Sequence, residues 1–162
     1  MDITKEISIR ESPLTDELMD KLIALSGEWE SEGSCHGYRK NGVGDIAGNR
    51  VFTAVCGEEI VGYLFGHMER TERATSITEK GTACFEIEEI YVKPAWRSRG
   101  IGAKLFRLAE DAVRGEAEVL FLSTASKNWR AILHFYIDEL DMEFWNARLY
   151  KRLTISDKGE TT

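Results

Sequence analysis

The stretch that most constrains the fold of this chain is residues 84–105, CFEIEEIYVKPAWRSRGIGAKL. Ile87, Ile90 and Val92 favour a pleated strand, and Pro94 marks its end. A basic turn that contains glycines follows, and it leads into apolar residues at helical spacing. The sequence therefore predicts a strand, a turn and a helix start whose exposed backbone N–H groups form a cradle for an anion such as pyrophosphate.

Two other phosphate-binding motifs do not match. A dinucleotide fingerprint needs a third glycine three residues after Gly102, but Leu105 stands there. Gly37 and Gly42 have the spacing of a P-loop, yet valine and glycine follow them where lysine and Ser or Thr are required. These observations exclude a Rossmann-type dinucleotide site and a P-loop nucleotide triphosphatase.

Length and composition limit the possible architectures and partners. With 162 residues and no internal repeat, the chain is expected to form one domain over residues 1–155, followed by a polar tail at 156–162. No run approaches 18 apolar residues, so we expect a cytoplasmic protein with no membrane partner. The net charge of −7 disfavours nucleic acid. Cys35, Cys56 and Cys84 form no C-x-x-C pair, which predicts reduced thiols and no metal site.

Apolar periodicity predicts an α/β fold of the α+β type. Helices are expected after Thr15, from Ile101 to near Gly115, and over residues 128–140. Strands are expected over residues 3–9, 51–56, 60–68, 84–92, 119–123 and 144–153. Residues 32–49 contain five glycines and are expected to form a long functional loop. The order of elements predicts a mixed, mostly antiparallel sheet with helices on both faces.

The motif Arg97-x-x-Gly100-x-Gly102, preceded by Ile90-Tyr91-Val92-x-Pro94, resembles the GNAT superfamily of acetyl-CoA-dependent N-acetyltransferases. A second stretch, SKNWRAILHFYIDELDMEF at residues 126–144, resembles the other signature of that superfamily. Its marks are three residues at fixed spacing: Asn128, Ala131 and Tyr136. The chain departs from the family where this helix usually ends in glycine, because Asp141 stands there; aspartate tolerates a left-handed conformation better than most residues.

The resemblance implies roles for these positions, with acetyl-CoA as co-substrate. The pyrophosphate would be held by the turn and helix start, namely Arg97, Ser98, Arg99, Gly100, Ile101, Gly102 and Ala103. The pantetheine arm would pair with the strand at Ile90, Tyr91 and Val92, and Asn128 and Ala131 would contact the cofactor. Tyr136 would protonate the departing thiolate, which suits a hydroxyl whose reference pKa is about 10.

An alkylamine acceptor must lose a proton before it attacks a thioester, so a base is expected. Glu86, Glu88 and Glu89 lie on the strand of the first motif, where burial or mutual repulsion raises carboxyl pKa values. Strand alternation places Glu86 and Glu88 on one face and Glu89 on the other, unless a bulge intervenes. We expect Glu88 and Glu86 to be the catalytic candidates and Glu89 to be structural. His67 and His134 have no obvious partner in the sequence.

The acceptor is expected to be a small-molecule or peptide amine. By resemblance, the first helix, the loop to Asn49 and the final strand with Trp145 and Tyr150 would shape its site. Transfer of a larger acyl group or to an oxygen acceptor stays open at this point. An alternative is a non-catalytic acyl-CoA-binding or interaction module on the same fold. A homodimer is also compatible with the aromatic residues near Phe144.

Overall fold

A computed structural model describes residues 5–154. Its centre is a five-stranded sheet in the order β1-β2-β3-β4-β5. The first four strands are mutually antiparallel and β5 runs parallel to β4. The strands span Ile7–Ser12, Arg50–Cys56, Glu59–Arg70, Ala83–Val92 and Val119–Leu122. The mixed, mostly antiparallel sheet predicted from the sequence is confirmed. Residues 3 and 4 of the first predicted strand and the predicted tail at 156–162 lie outside the described residues.

Four α-helices flank the sheet: α1 (Asp16–Glu32), α2 (Val43–Ile46), α3 (Ile101–Val113) and α4 (Trp129–Leu133). Helix α1 begins as predicted, since the Thr15 hydroxyl accepts a hydrogen bond from the Leu18 N–H at 3.2 Å. It ends at Gly33, which has a φ of 60° and supplies the left-handed cap. None of the helices in the described part of the chain is long and apolar enough to cross a membrane.

The sheet separates two packed cores. One face carries α1 and α2, and its buried side chains include Leu22, Ile46, Tyr63, Phe65 and Tyr91. The other face carries α3 and the end of the last helix, and its buried side chains include Phe52, Leu64, Ile87, Leu105 and Tyr136. Burial of apolar surface on both faces of β2, β3 and β4 explains why these strands contain long apolar runs.

The last predicted helix continues beyond α4 in a different form. Residues His134–Glu139 form a π-helix, so only the first turn of the predicted 128–140 helix is α-helical. Asp141 has a φ of 58°, the left-handed conformation expected at this helix end. The wider turn changes the direction of side chains after Leu133, and such segments are frequent at functional sites.

The predicted strand over residues 144–153 is wrong. These residues form no strand or helix, and Leu149 is 94% exposed. Trp145 anchors the segment, since its Nε1 donates to the Ser76 hydroxyl at 2.7 Å. The prediction failed because aromatic residues form a strand only where a neighbouring strand pairs with them.

Candidate active site

The turn between β4 and α3 has the geometry of an anion cradle. A short 3-10 turn over Pro94–Trp96 is followed by Ser98 at a φ of 62° and Gly100 at a φ of 78°. No side chain caps α3 at Gly100, and the first turn of the helix contains no acidic residue. The N–H groups that open α3 lack partners within the helix, and the positive end of the helix dipole adds to them.

Ser98 is a strained residue in this cradle. A residue with a Cβ in the left-handed region costs about 1–2 kcal/mol relative to the right-handed region, and Ser98 is exposed. Left-handed residues such as Ser98 and Gly100 occur in backbone nests, in which successive N–H groups point to the same side. The backbone here is therefore arranged in a way that favours a negatively charged group.

The two glycines of the motif have different surroundings. A Cβ on Gly100 would have no heavy atom within 4 Å, so open space lies above the turn. A Cβ on Gly102 would lie 3.3 Å from the Phe135 ring, which packs across the start of α3. Gly102 thus allows the last helix to approach the cradle, a packing role that the motif alone does not indicate.

The arginine side chains contact the walls of the cradle. The Arg97 guanidinium donates to both carboxylate oxygens of Glu32 at 2.8 and 3.0 Å and to the Val92 carbonyl at 2.8 Å. It also lies 5.5 Å from the centre of the Tyr91 ring. Arg99 lies over the Trp96 ring at 4.9 Å. Arg97 therefore fixes the turn to β4 and α1, and Glu32 balances its charge.

Strands β4 and β5 part beside the cradle. They pair only from Cys84 to Ile87, opposite Val119 to Leu122, whereas β4 continues to pair with β3 as far as Val92. The Lys93 N–H donates to the Val61 carbonyl of β3, so by alternation the main chain of Tyr91 also faces β3. The main-chain groups of Ile90 and the Val92 N–H then point to the opening, where an extended group can add as a strand, while the Val92 carbonyl accepts from Arg97.

A β-bulge in β4 begins where the strands part. The register between β3 and β4 shifts between Phe65 and Gly66, which pair with Glu89 and Ile87, so Glu88 is the extra residue. A Cβ on Gly66 would collide with the carbonyl oxygen of Glu86. The strand thus depends on glycine at this position, because the bulge brings the two backbones together.

The bulge changes which glutamates share a face. Phe65 and His67 lie on the α1 face of β3, and their partners on β4 are Glu89 and Glu86. Glu86 and Glu89 therefore point to the same face, in contrast to simple alternation. Burial and then the charge of Glu88 raise the pKa of Glu86 above its ordinary value.

Glu88 and the histidines have partners that the sequence did not reveal. Glu88 is exposed, and its Oε1 lies 3.4 Å from His67 Nδ1. His134 Nδ1 lies 2.7 Å from Asp138 Oδ2 one turn further along the last helix. The expectation that His67 and His134 lack partners is therefore wrong. No group of three or more His, Cys, Asp or Glu side chains in the described residues is placed to hold a metal ion.

Glu89 is the centre of a polar cluster that sequence reasoning missed. Its carboxylate accepts hydrogen bonds from the Tyr63 hydroxyl at 2.8 Å, the Tyr38 hydroxyl at 3.1 Å and Asn41 Nδ2 at 2.9 Å. Burial raises the pKa of Glu89, although the three donors oppose that rise. The Tyr38 ring stacks on Trp29 with 4.2 Å between ring centres.

Tyr136 lies in the π-helix and is only 7% exposed. Burial, and next the proximity of Cys35, raise the pKa of its hydroxyl above the ordinary value, so the hydroxyl keeps its proton at neutral pH. Its side chain shares a core with residues of β4 and α3, including Ile90, Val92, Ile101 and Ala103. Asn128 and Ala131 lie at the exposed start of α4. The structure thus places Tyr136, the opening beside β4 and the cradle around one packed core.

Comparison with known proteins agrees with this arrangement. The model of the acetyltransferase (GNAT) family matches residues 23–137, which include β2 to β5, the cradle and Tyr136. This chain belongs to the GNAT acetyltransferase family. No curated protein matches the sequence.

Solved structures share the fold. An aminoglycoside acetyltransferase from an uncultured soil metagenomic sample is 20% identical, with a TM-score of 0.66 over 93% of this chain and 99% of that one. A transcriptional regulator from Bacillus halodurans is 21% identical, with a TM-score of 0.67 over 91% and 100%. The aminoglycoside N-acetyltransferase AAC(6')-Iy in complex with CoA is 13% identical, with a TM-score of 0.65 over 96% and 99%. At these identities the likeness shows the fold.

Proposed function

We propose that this protein transfers an acetyl group from acetyl-CoA to a primary amine by direct attack of the amine on the thioester. The observation that carries the proposal is the parting of β4 from β5 next to the uncapped start of α3. It provides an opening for an extended arm and an anion cradle at one end of that opening. The family relation supports the same assignment.

The residues present fit coenzyme A. The backbone of the turn and helix start would hold the pyrophosphate, and it comprises Arg97, Ser98, Arg99, Gly100, Ile101, Gly102 and Ala103. The outward main-chain groups of Ile90 and the N–H of Val92 would pair with the amide-containing arm. Asn128 and Ala131 line the exposed start of α4. When bound, acetyl-CoA supplies an acetyl thioester that an amine attacks.

Glu86 is the carboxylate that we propose receives the amine proton. Its half-buried side chain and raised pKa make it a better base than an ordinary exposed carboxylate. Glu88 is more exposed and lies beside His67. We assign the base to Glu86 in preference to Glu88, acting directly or through a water molecule.

Tyr136 is proposed as the proton donor to the leaving sulfur. A general acid must be protonated before the step, and the raised pKa ensures this at neutral pH. The buried surroundings of the hydroxyl disfavour its tyrosinate anion, so the neutral, protonated form is the stable one before the transfer. This role predicts that Tyr136 affects turnover more than cofactor affinity.

The acceptor is proposed to be a cationic small molecule or a peptide amine. Glu69, Glu86 and Glu88 lie close together on the neighbouring strands β3 and β4 and would attract a protonated amine. An aminoglycoside acetyltransferase from an uncultured soil metagenomic sample, solved in complex with sisomicin, has a similar fold. Aminoglycosides and polyamines are therefore the first acceptors to test.

Release of free thiol from acetyl-CoA in the presence of an amine panel tests the proposal. We expect thiol release with at least one amine, and a large loss of rate in Glu86→Gln with little change in Glu58→Gln, an exposed carboxylate in the turn between β2 and β3. A protein that gives heat with coenzyme A but releases no thiol with any amine would instead be a binding module. Equal rates for wild type and Glu86→Gln would remove Glu86 from the mechanism.

A further inference from the structure

Residues 34–41, which we call the strap, cross the opening between β4 and β5. At one end, the strap pairs with the segment that follows β5. The His36 N–H donates to the Ala125 carbonyl and the Lys127 N–H donates to the Ser34 carbonyl, both at 2.9 Å, and Cys35 forms an antiparallel bridge with Ser126. The β5 side of the opening is thus tied to the strap by main-chain bonds.

At the other end, side chains tie the strap to β4. Tyr38 and Asn41 both donate to the Glu89 carboxylate, and Glu89 lies directly after the bulge. The Asn41 N–H also donates to the hydroxyl of Ser26, which is fully buried in α1. The strap is therefore held on both sides of the opening, and Glu89 is its attachment to the strand that carries Glu86.

We infer that Glu89 is a positioning residue that holds the strap across the β4–β5 opening as the wall of the amine site. The inference rests on the proposed function, because it assigns the strap to the acceptor half of that site. Three donors converge on one half-buried carboxylate, which is acceptor-only when ionised and so suits them all. Glutamine in its place has one acceptor oxygen instead of two, so it cannot accept from all three donors in this arrangement, and at least one of these bonds is lost or reversed.

The chain offers a matched pair of variants. Tyr38→Phe and Tyr63→Phe each remove one hydroxyl that donates to Glu89, but only Tyr38 belongs to the strap. Tyr63 lies on β3 and holds Glu89 from the sheet side. We expect Tyr38→Phe, Asn41→Ala and Glu89→Gln to raise KM for the amine about tenfold. Tyr63→Phe should raise it less than threefold, and KM for acetyl-CoA should stay within about twofold in all four.

Glu89→Asp keeps a carboxylate on a shorter side chain. If the carboxylate itself holds the strap, KM for the amine should rise less in this variant than in Glu89→Gln. An unchanged amine KM in Tyr38→Phe and Asn41→Ala, or an equal rise for acetyl-CoA, would overturn the inference. Amide hydrogen exchange provides a readout that needs no accepted amine. Exchange over residues 34–41 should accelerate in Tyr38→Phe and Glu89→Gln while α3 stays protected. If no amine is acetylated but exchange responds in this way, the proposed function fails while the anchoring role of Glu89 stands; unchanged exchange overturns that role.

Discussion

Substitution of Gly100 by alanine should weaken coenzyme A binding, whereas the matched change Ser98→Gly in the same turn should not. Both residues have positive φ, 78° for Gly100 and 62° for Ser98. A side chain with a Cβ in this region costs about 1–2 kcal/mol. Gly100→Ala adds that strain at the start of α3, while Ser98→Gly relieves it, offset in part by the greater freedom of glycine in the unfolded chain.

The effect on affinity follows from the same strain. A turn that relaxes to avoid the strain moves the N–H groups of Ile101 and Gly102 out of alignment, so binding must restore the strained conformation. A cost of about 1–2 kcal/mol corresponds to a Kd for coenzyme A about five- to thirtyfold higher. No heavy atom lies within 4 Å of the added Cβ, so protein overpacking contributes nothing to the expected loss.

Calorimetry with coenzyme A at fixed ionic strength measures this change directly. Thermal unfolding provides a second measure, because a ligand at 100 times its Kd stabilises the folded protein by about 2.7 kcal/mol. For a chain of this length that corresponds to a Tm increase of roughly 5–11 °C. Gly100→Ala should show a smaller increase at the same ligand concentration. A Kd within twofold of wild type in Gly100→Ala, or an equal loss in Ser98→Gly, would refute the assignment of the cradle.

Three further outcomes test other parts of the structure. Gly66→Ala should lower the free energy of unfolding by about 1–3 kcal/mol, measured by urea denaturation, because the added Cβ collides with the Glu86 carbonyl. Gly44→Ala, which adds a Cβ in open space, is the control. Tyr136→Phe should lower kcat and leave the Kd for coenzyme A within twofold; an unchanged kcat would exclude it as the acid. The raised pKa of Glu86 means that its contribution to stability is present at low pH and lost as pH rises through the folded-state pKa. The change in the free energy of unfolding caused by Glu86→Gln should therefore be more favourable at pH 7 than at pH 4. In the pH profile of the rate, the acid limb should be absent from this variant.

Local signals in the sequence were sufficient for the elements that build the cradle. Thr15 predicted the start of α1, and Pro94 with the two glycines of the turn predicted the end of β4 and the start of α3. These features depend on the conformational limits of single residues, so the sequence displays them without knowledge of the fold. The left-handed conformation of Asp141 was predictable for the same reason.

The partners of Glu89 were not predictable in this way. Tyr38 is 51 residues and Asn41 is 48 residues away in sequence, so nothing local connects them to β4. The bulge that redirects Glu89 depends on the register with β3. One signal was present, since a glycine inside a strand pattern often marks a bulge, and Gly66 lies in the middle of β3. That glycine predicts a bulge, but the sequence does not say which residue of the partner strand is extra.

The bulge at Glu88 connects three features that otherwise look separate. One extra residue turns Glu89 to the same face as Glu86, so the strand presents both a candidate base and the anchor of the strap. Pairing with β5 ends at the residue before it, which leaves the main chain of Ile90 and Val92 beside the opening. Gly66 provides the space that this geometry requires. Gly66→Ala changes only β3 and leaves every proposed site residue in place, yet it should weaken the binding of both coenzyme A and the acceptor.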